Sequence, residues 1–118
     1  MTQTFGQSIR QARKEKGYTQ RQVAKMLNID FTYLSKLEND RADYPAKEDV
    51  IRSLAQTLAR DEEELIFLAG RTPARYEEFL KTHYRELPIL FRRMLENPEF
   101  AEQIFRAAAI ESESSELY

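Results

Sequence analysis

The sequence predicts an all-α fold, with a five-helix domain followed by a small helical segment. Glycine and proline are sparse, at three and four copies in 118 residues. Apolar residues recur at three- and four-residue spacing, which is the pattern of helices that bury one face. Alternating apolar and polar runs, the pattern of half-buried strands, are almost absent. We therefore expect helices alone.

The first two helices are predicted from their end signals. Helix 1 covers about residues 4–16, and Gly17 suits the left-handed position that stops a helix. Thr19 is a good N-cap for helix 2, residues 20–27. The apolar positions of helix 2 fall on one face, so this face is expected to be buried.

A turn of about four residues separates helix 2 from helix 3. Asn28 tolerates a positive φ better than other non-glycine residues, and Asp30 is the next N-cap. Helix 3 is predicted over about residues 31–39. Ala24 is expected to lie where the two helices cross closely, because a larger side chain at that point would push the helices apart. This spacing holds helix 3 away from the body of the domain, as a major-groove reader requires.

Two further helices complete the first domain. A polar, proline-containing loop, residues 40–46, leads to helix 4 over about residues 47–58. Asp61 caps helix 5, whose first turn holds three glutamates that the helix dipole favours. Gly70 ends this helix. Residues 1–70 are therefore predicted to form one domain.

Residues 71–110 are predicted to form a second, smaller helical segment. Pro73 suits a helix first turn, Pro88 starts a further helix, and the step at residues 97–98 breaks it before the last helix. Residues 111–118 are rich in serine and glutamate and are expected to be a disordered tail.

Residues 73–110 of this segment carry more apolar side chains than a stretch of 38 residues can bury alone. This favours a homodimer; the alternative is that the segment covers helices 4 and 5 of its own chain. The residues predicted to dimerise are Phe79, Tyr84, Leu87, Leu90, Phe91, Met94, Phe100, Ile104 and Phe105.

Charge and composition restrict the function. The net charge is −2, but residues 1–41 carry +4, as a DNA-facing surface would. There is no cysteine, and His83 has no second histidine at ligand spacing, so no metal site is expected. The sequence shows no nucleophilic residue paired with a general base and no glycine-rich phosphate loop. We therefore expect that the protein is not an enzyme and binds no cofactor. No apolar run approaches the ~20 residues of a membrane span, and a cytoplasmic, bacterial nucleoid-associated location is expected.

The stretch TQRQVAKMLNIDFTYLSKLEN, residues 19–39, carries a family resemblance. Together with GYTQ, the VA-x-x-L-x-I spacing and the later SLAQTL segment, it resembles the Xre family, the cI/Cro-type repressors, over about residues 5–70. The resemblance implies a lambda-repressor-like domain that binds double-stranded DNA. It also implies a dimeric repressor with helix 3 in the major groove of a palindromic operator. Asn28 replaces the usual turn glycine, and the loop DRADYPAKED is longer than the common form.

The resemblance further implies individual DNA contacts. Phe31, Thr32 and Lys36 hold the base-facing positions of helix 3. Thr32 can touch a thymine methyl, and Lys36 can donate to guanine O6 or N7. Phe31 packs on thymine methyls or, alternatively, tucks into the domain. The predicted DNA-binding residues are Thr19, Gln20, Arg21, Phe31, Thr32, Tyr33, Ser35, Lys36, Arg41 and Lys47.

Two other roles follow from the same resemblance. Gln20, at the start of helix 2, would bind a phosphate, although it could also be only a helix-start residue. Arg13 and Glu38 match a pair that joins helix 1 to the end of helix 3. Two alternatives to a repressor stay open. One is an antitoxin or protease-partnered regulator whose second segment binds a partner protein; the other is a helical scaffold that has lost DNA binding.

Overall fold

The computed structural model describes residues 3–116, with side chains up to residue 109. Every regular element in this part of the chain is helical, as predicted. The helices are α1 (Phe5–Glu15), α2 (Gln20–Leu27), α3 (Phe31–Glu38), α4 (Glu48–Leu58), α5 (Glu62–Leu68), a 3-10 turn (Ala74–Tyr76), α6 (Glu77–Thr82), α7 (Glu86–Glu96) and α8 (Pro98–Glu116). The chain divides into a first unit that ends at Arg75 and a second that begins at Tyr76.

Side-chain caps define where the helices of the first unit begin. Thr19 accepts a hydrogen bond from the Gln22 backbone N–H, and the Gln22 side chain accepts one from the Thr19 N–H. This reciprocal arrangement is a capping box, and Thr4 and Gln7 form the same box at the start of α1. The predicted N-cap at Asp61 is also confirmed. Each cap satisfies N–H groups that the helix itself leaves unpaired.

The core of the first unit is aliphatic and is centred on α4. This helix packs against α1, α2 and α5 and buries four side chains of its own. Burial of this apolar surface is the main favourable term in folding such a unit. The buried hydrophobic residues are Ile9, Ala12, Val23, Ala24, Leu34, Leu37, Ala46, Ile51, Leu54, Ala55, Leu58, Leu65 and Ile66.

The start of α1 lies directly against the end of α3. A Cβ atom on Gly6 would stand 2.5 Å from the Glu38 carbonyl oxygen and 2.6 Å from that of Leu37. Only glycine fits such an approach. Asp40, which adopts a left-handed φ of 54°, accepts hydrogen bonds from the Gly6 N–H at 2.9 Å and the Thr4 hydroxyl at 2.6 Å. These contacts fix the C-terminal end of α3 to the body of the unit.

The first unit extends beyond the predicted boundary at residue 70. The Arg71 guanidinium donates to the backbone carbonyls of Pro45 and Ala46. Pro73 is fully buried, and the Ala74 N–H donates to the Glu48 carboxylate at 2.8 Å. These long-range contacts hold residues 71–74 on the unit, so Gly70 ends α5 as predicted but does not end the fold.

In the second unit, α7 and α8 pack against each other. Pro88 lies inside the first turn of α7, two residues after its start, where a missing N–H costs little. The break at residues 97–98 is present, and Asn97 accepts a hydrogen bond from the Phe100 N–H.

The last helix departs from the sequence-based expectation. Its backbone continues to Glu116, so residues 111–116 are helical where a disordered tail is predicted; residues 117–118 lie outside the described part. No glycine or proline interrupts this stretch, and its glutamates are good helix formers. Among the described residues, no helix is both long and apolar enough to cross a membrane.

Candidate nucleic-acid interface

The segment from α2 to α3 forms two short helices joined by a tight turn. Asn28 adopts φ 55° and ψ 46°, the left-handed conformation predicted for it, and the Ile29 N–H donates to the Ala24 carbonyl at 3.0 Å. Asp30 begins α3, since its carboxylate accepts from the Thr32 N–H at 2.7 Å. Ala24 is buried at the crossing. The turn therefore fixes the angle at which α3 leaves α2.

A buried carboxylate anchors the inner side of α3. Glu38 is only 2% exposed, and Arg13 from α1 binds it with two hydrogen bonds, at 2.7 Å to Oε2 and 3.0 Å to Oε1. Arg13 also donates to the Tyr18 carbonyl at 2.9 Å. The structure thus brings the predicted structural pair together in the two-pronged geometry that suits an arginine and a carboxylate.

Two further side chains donate to the same carboxylate. Gln20 Nε2 lies 2.9 Å and Arg10 Nε 3.4 Å from Glu38 Oε1, and Arg10 also donates to Asn39 at 2.6 Å. Burial raises the pKa of Glu38, but the hydrogen bonds from Arg13 and Gln20 outweigh it, so the pKa lies below its ordinary value. The carboxylate is therefore ionised and links α1, α2 and α3.

This network adds a structural contact to the phosphate-binding role expected of Gln20. The sequence predicts a phosphate ligand, whereas the structure places the side chain half-buried with one amide N–H on Glu38. A glutamine amide has two N–H donors. One donor therefore stays available for a phosphate, and the other holds the side chain in place. Nothing in the local sequence signals this link, because it joins residues 18 positions apart.

The outer side of α3 presents the predicted base-facing residues. Thr32 and Lys36 are exposed, Tyr33 and Ser35 are half-buried at its flanks, and Leu34 and Leu37 are buried on the opposite side. Phe31 is 38% exposed and lies under the Arg21 guanidinium, whose central carbon is 4.7 Å from the ring centroid. Both interpretations of Phe31, as a thymine contact and as a residue tucked into the domain, therefore stay predictions. The ring is part of the surface.

The loop after α3 carries the remaining predicted contacts. Arg41 and Lys47 are exposed, and Tyr44, to which the sequence assigns no role, is 81% exposed. The loop borders a groove of about 400 Å³ lined by three cations and one carboxylate. The charged lining residues are Lys36, Asp43, Lys47 and Arg71. A groove with this charge balance favours anions, although Arg71 also uses its guanidinium to hold the loop.

Comparison with known proteins agrees with this geometry. The helix-turn-helix domain family matches residues 6–71. The chain belongs to that family. A chain in a solved structure titled as a complex of the SinR protein with the SinI protein has a similar fold, with a TM-score of 0.51 and 22% sequence identity. The match covers 98% of this chain and 100% of that chain. No curated protein matches the sequence.

Outside the helix-turn-helix domain, the second unit has no buried side chain among the described residues 77–109. The predicted dimerisation residues fall into two classes. Half-buried are Leu87, Leu90, Met94 and Phe100, and exposed are Phe79, Tyr84, Phe91, Ile104 and Phe105. Arg93 lies over the Phe100 ring, 4.0 Å from its centroid. The hairpin of α7 and α8 therefore leaves apolar surface uncovered.

Proposed function

We propose that this helix-turn-helix protein is a sequence-specific, double-stranded DNA-binding transcriptional regulator of the Xre, cI/Cro-type class. In its most concrete form it is a dimeric repressor that inserts α3 into the major groove of a palindromic operator. The observation that carries the proposal is the two-sided nature of α3. Glu38 anchors one side in the core, while Thr32 and Lys36 stand exposed on the other.

The exposed side chains have the chemistry that base reading needs. Lys36 can donate to guanine O6 and N7, and the Thr32 methyl and hydroxyl can contact thymine or a hydrogen-bonding edge. Arg41 and Lys47 flank the reading helix, where cations neutralise phosphates and set the register of the protein on the duplex. Thr19 keeps its hydroxyl proton for a phosphate, because its oxygen acts only as an acceptor in the capping box. This function requires no catalytic step and places the chain with bacterial DNA in the cytoplasm.

Selection of bound duplexes from a random pool tests the proposal. We expect a symmetric site, with affinity that falls steeply as salt rises because phosphate contacts release counterions. Lys36→Ala should cost roughly 1–3 kcal/mol on the selected site and relax preference at one base pair. Arg41→Ala should weaken selected and random DNA about equally. Lys14→Ala, the same class of change on the exposed face of α1, is the matched control.

Three results would contradict parts of this assignment. Binding that does not depend on salt would argue against phosphate contacts altogether. Equal losses of affinity for selected and random DNA in Lys36→Ala would show that Lys36 does not read bases, although the chain would still be a DNA-binding protein. Loss of the selected site on Lys14→Ala would show that the effect of Lys36→Ala is not specific to the reading face.

The uncovered apolar surface of the second unit supports a homodimer. Phe91 is 53% exposed, and the hairpin of α7 and α8 that contains it holds six other predicted dimerisation residues. An apolar surface of this kind on a small helical hairpin is stabilised when a second copy covers it.

Light scattering tests the homodimer. The full chain should show twice its 13.9 kDa mass, and a chain ending at Arg75 should be monomeric. This end point retains Arg71 and Pro73, which a chain ending at Gly70 would lose. Phe91→Asp should weaken the dimer, whereas Lys81→Asp, on the exposed face of α6, should not. A truncated chain that stays dimeric at micromolar concentration would refute the assignment.

A partner protein bound to the second unit is the other candidate function. The solved chain of similar fold is titled as part of a complex with a second protein, which supports this reading of the uncovered hairpin. An antitoxin or a protease-partnered regulator would use its second unit in this way. Depletion of the chain from its host should be toxic only for an antitoxin. A partner that binds equally to the chain ending at Arg75 would exclude the second unit as its site.

A further inference from the structure

Arg21 and Phe31 form a contact across the two helices of the helix-turn-helix. Arg21 is the second residue of α2, and Phe31 is the first residue of α3. The guanidinium lies over the ring, with 4.7 Å between its central carbon and the ring centroid. The Arg21 side chain forms no hydrogen bond and no ion pair within the described part of the chain. Its N–H donors are therefore unused, in contrast to those of Arg13, which bind Glu38.

The ring holds the guanidinium without occupying its donors. A cation over an aromatic face is attracted by the negative face of the ring. A guanidinium is also planar, so stacking orients its fork while leaving the N–H edges open to acceptors. The first residues of a recognition helix are those that meet base edges. Phe31 therefore keeps the Arg21 fork at the base-reading end of α3 rather than over the flanking backbone.

From this arrangement we infer that Arg21 and Phe31 act as one reading unit for a thymine and a guanine at neighbouring base pairs. This inference rests on the proposed DNA-binding function. The Phe31 ring contacts the thymine C5 methyl, which is the apolar group of the major groove. The Arg21 fork donates to guanine O6 and N7, which are the paired acceptors it fits. Phe31 thus serves both as a methyl contact and as a positioning residue for Arg21.

Two conservative variants separate this role from a simple charge effect. Arg21→Lys keeps the positive charge but loses the planar fork. An ammonium can still donate to a guanine acceptor, so preference for guanine at the neighbouring base pair should fall by about fivefold, while affinity for random DNA should be kept. Phe31→Leu keeps an apolar contact for the methyl but removes the ring. It should lower the guanine preference and retain the thymine preference.

Atomic changes in the DNA test the same contacts from the other side. Deoxyuridine in place of thymine removes only the methyl group and should weaken binding of the wild-type chain by about fourfold. Replacing the guanine assigned to Arg21 with 7-deazaguanine removes its N7 acceptor, which should weaken binding of the wild-type chain more than binding of Arg21→Lys. Circular dichroism melts of each variant establish that the fold is intact.

The outcomes distinguish the inference from the proposed function. A wild-type chain that selects no sequence would refute both. A wild-type chain that selects a site, together with an Arg21→Lys variant that keeps the same base preference, would overturn only the inference. Equal weakening of selected and random DNA by Arg21→Ala would also overturn it, because that result assigns Arg21 to a phosphate.

Discussion

Replacing Glu38 with glutamine removes the buried charge while nearly keeping the side-chain shape. The wild-type carboxylate accepts two hydrogen bonds from Arg13, at 2.7 and 3.0 Å, one from Gln20 at 2.9 Å and one from Arg10 at 3.4 Å. Removing one partner of a buried ion pair typically costs 3–5 kcal/mol. Glutamine keeps one oxygen acceptor but turns an NH₂ group toward the arginine donors. We therefore expect a loss of about 3 kcal/mol in the free energy of unfolding.

Urea denaturation of the full chain at one fixed protein concentration measures this loss. The midpoint should fall while the slope of the free energy against urea stays the same, because the exposed surface on unfolding is unchanged. Glu15→Gln is the matched control, since Glu15 pairs with Arg60 at 2.5 Å on the surface, where such pairs contribute little. Equal midpoints for Glu38→Gln and Glu15→Gln would refute the reasoning.

The same carboxylate predicts how stability depends on pH. Folding lowers the pKa of Glu38, so the unfolded chain binds the proton more readily than the folded chain. The contribution of the Glu38 carboxylate to the free energy of unfolding is therefore fully present above the unfolded-state pKa. It is lost as the pH falls through the lowered folded-state pKa. The stability difference between wild type and Glu38→Gln should accordingly shrink on acidification. A difference that stays constant down to the unfolding pH would contradict this.

Three other substitutions test separate features. Gly6→Ala would put a Cβ atom 2.5 Å from the Glu38 carbonyl oxygen; urea denaturation should show a loss of about 1–3 kcal/mol, and a gain from helix propensity would refute the close approach. Ala59 has a left-handed backbone conformation with φ 55°, which strains a residue with a Cβ atom, so Ala59→Gly should raise the melting temperature by an amount equivalent to about 1 kcal/mol. An unchanged melting temperature would argue against a left-handed backbone at residue 59. Gln20→Ala removes a donor to Glu38, so it should lower both the urea midpoint and DNA affinity, and loss of DNA affinity alone would identify Gln20 as a phosphate ligand only.

Local signals in the sequence predict the helix-turn-helix well. Thr19, Asn28 and Asp30 each act on backbone groups within four residues, so the residue type and its position carry the information. The apolar spacing of α3 then fixes which side is buried and which is exposed. For these reasons the helices, the turn and the outward positions of Thr32 and Lys36 follow from the sequence.

Contacts between distant residues are not predictable in this way. Asp40 binds the Gly6 N–H, 34 positions earlier, and a glycine within a helix otherwise indicates only weak propensity. Arg71 binds carbonyls 25 and 26 positions earlier, although the glycine before it predicts the end of the domain. The stacking of Arg21 on Phe31 depends on side-chain rotamers across a turn, which a pattern of residue types does not specify.

Glu38 connects the stability of the first unit with the orientation of its reading helix. Arg13 and Arg10 bring α1 to this carboxylate, and Gln20 brings the first turn of α2 to it. Because Glu38 is the last residue of α3, the three helices meet where α3 ends, while Phe31 and Thr32, two of the residues proposed to read bases, stand where it begins. The anchored end fixes the direction of the helix axis, and the exposed end is left to contact DNA. A buried charge pair contributes little net stability compared with an apolar replacement. Orientation explains the presence of Glu38 better, since its two oxygens accept donors from both α1 and α2 at one point.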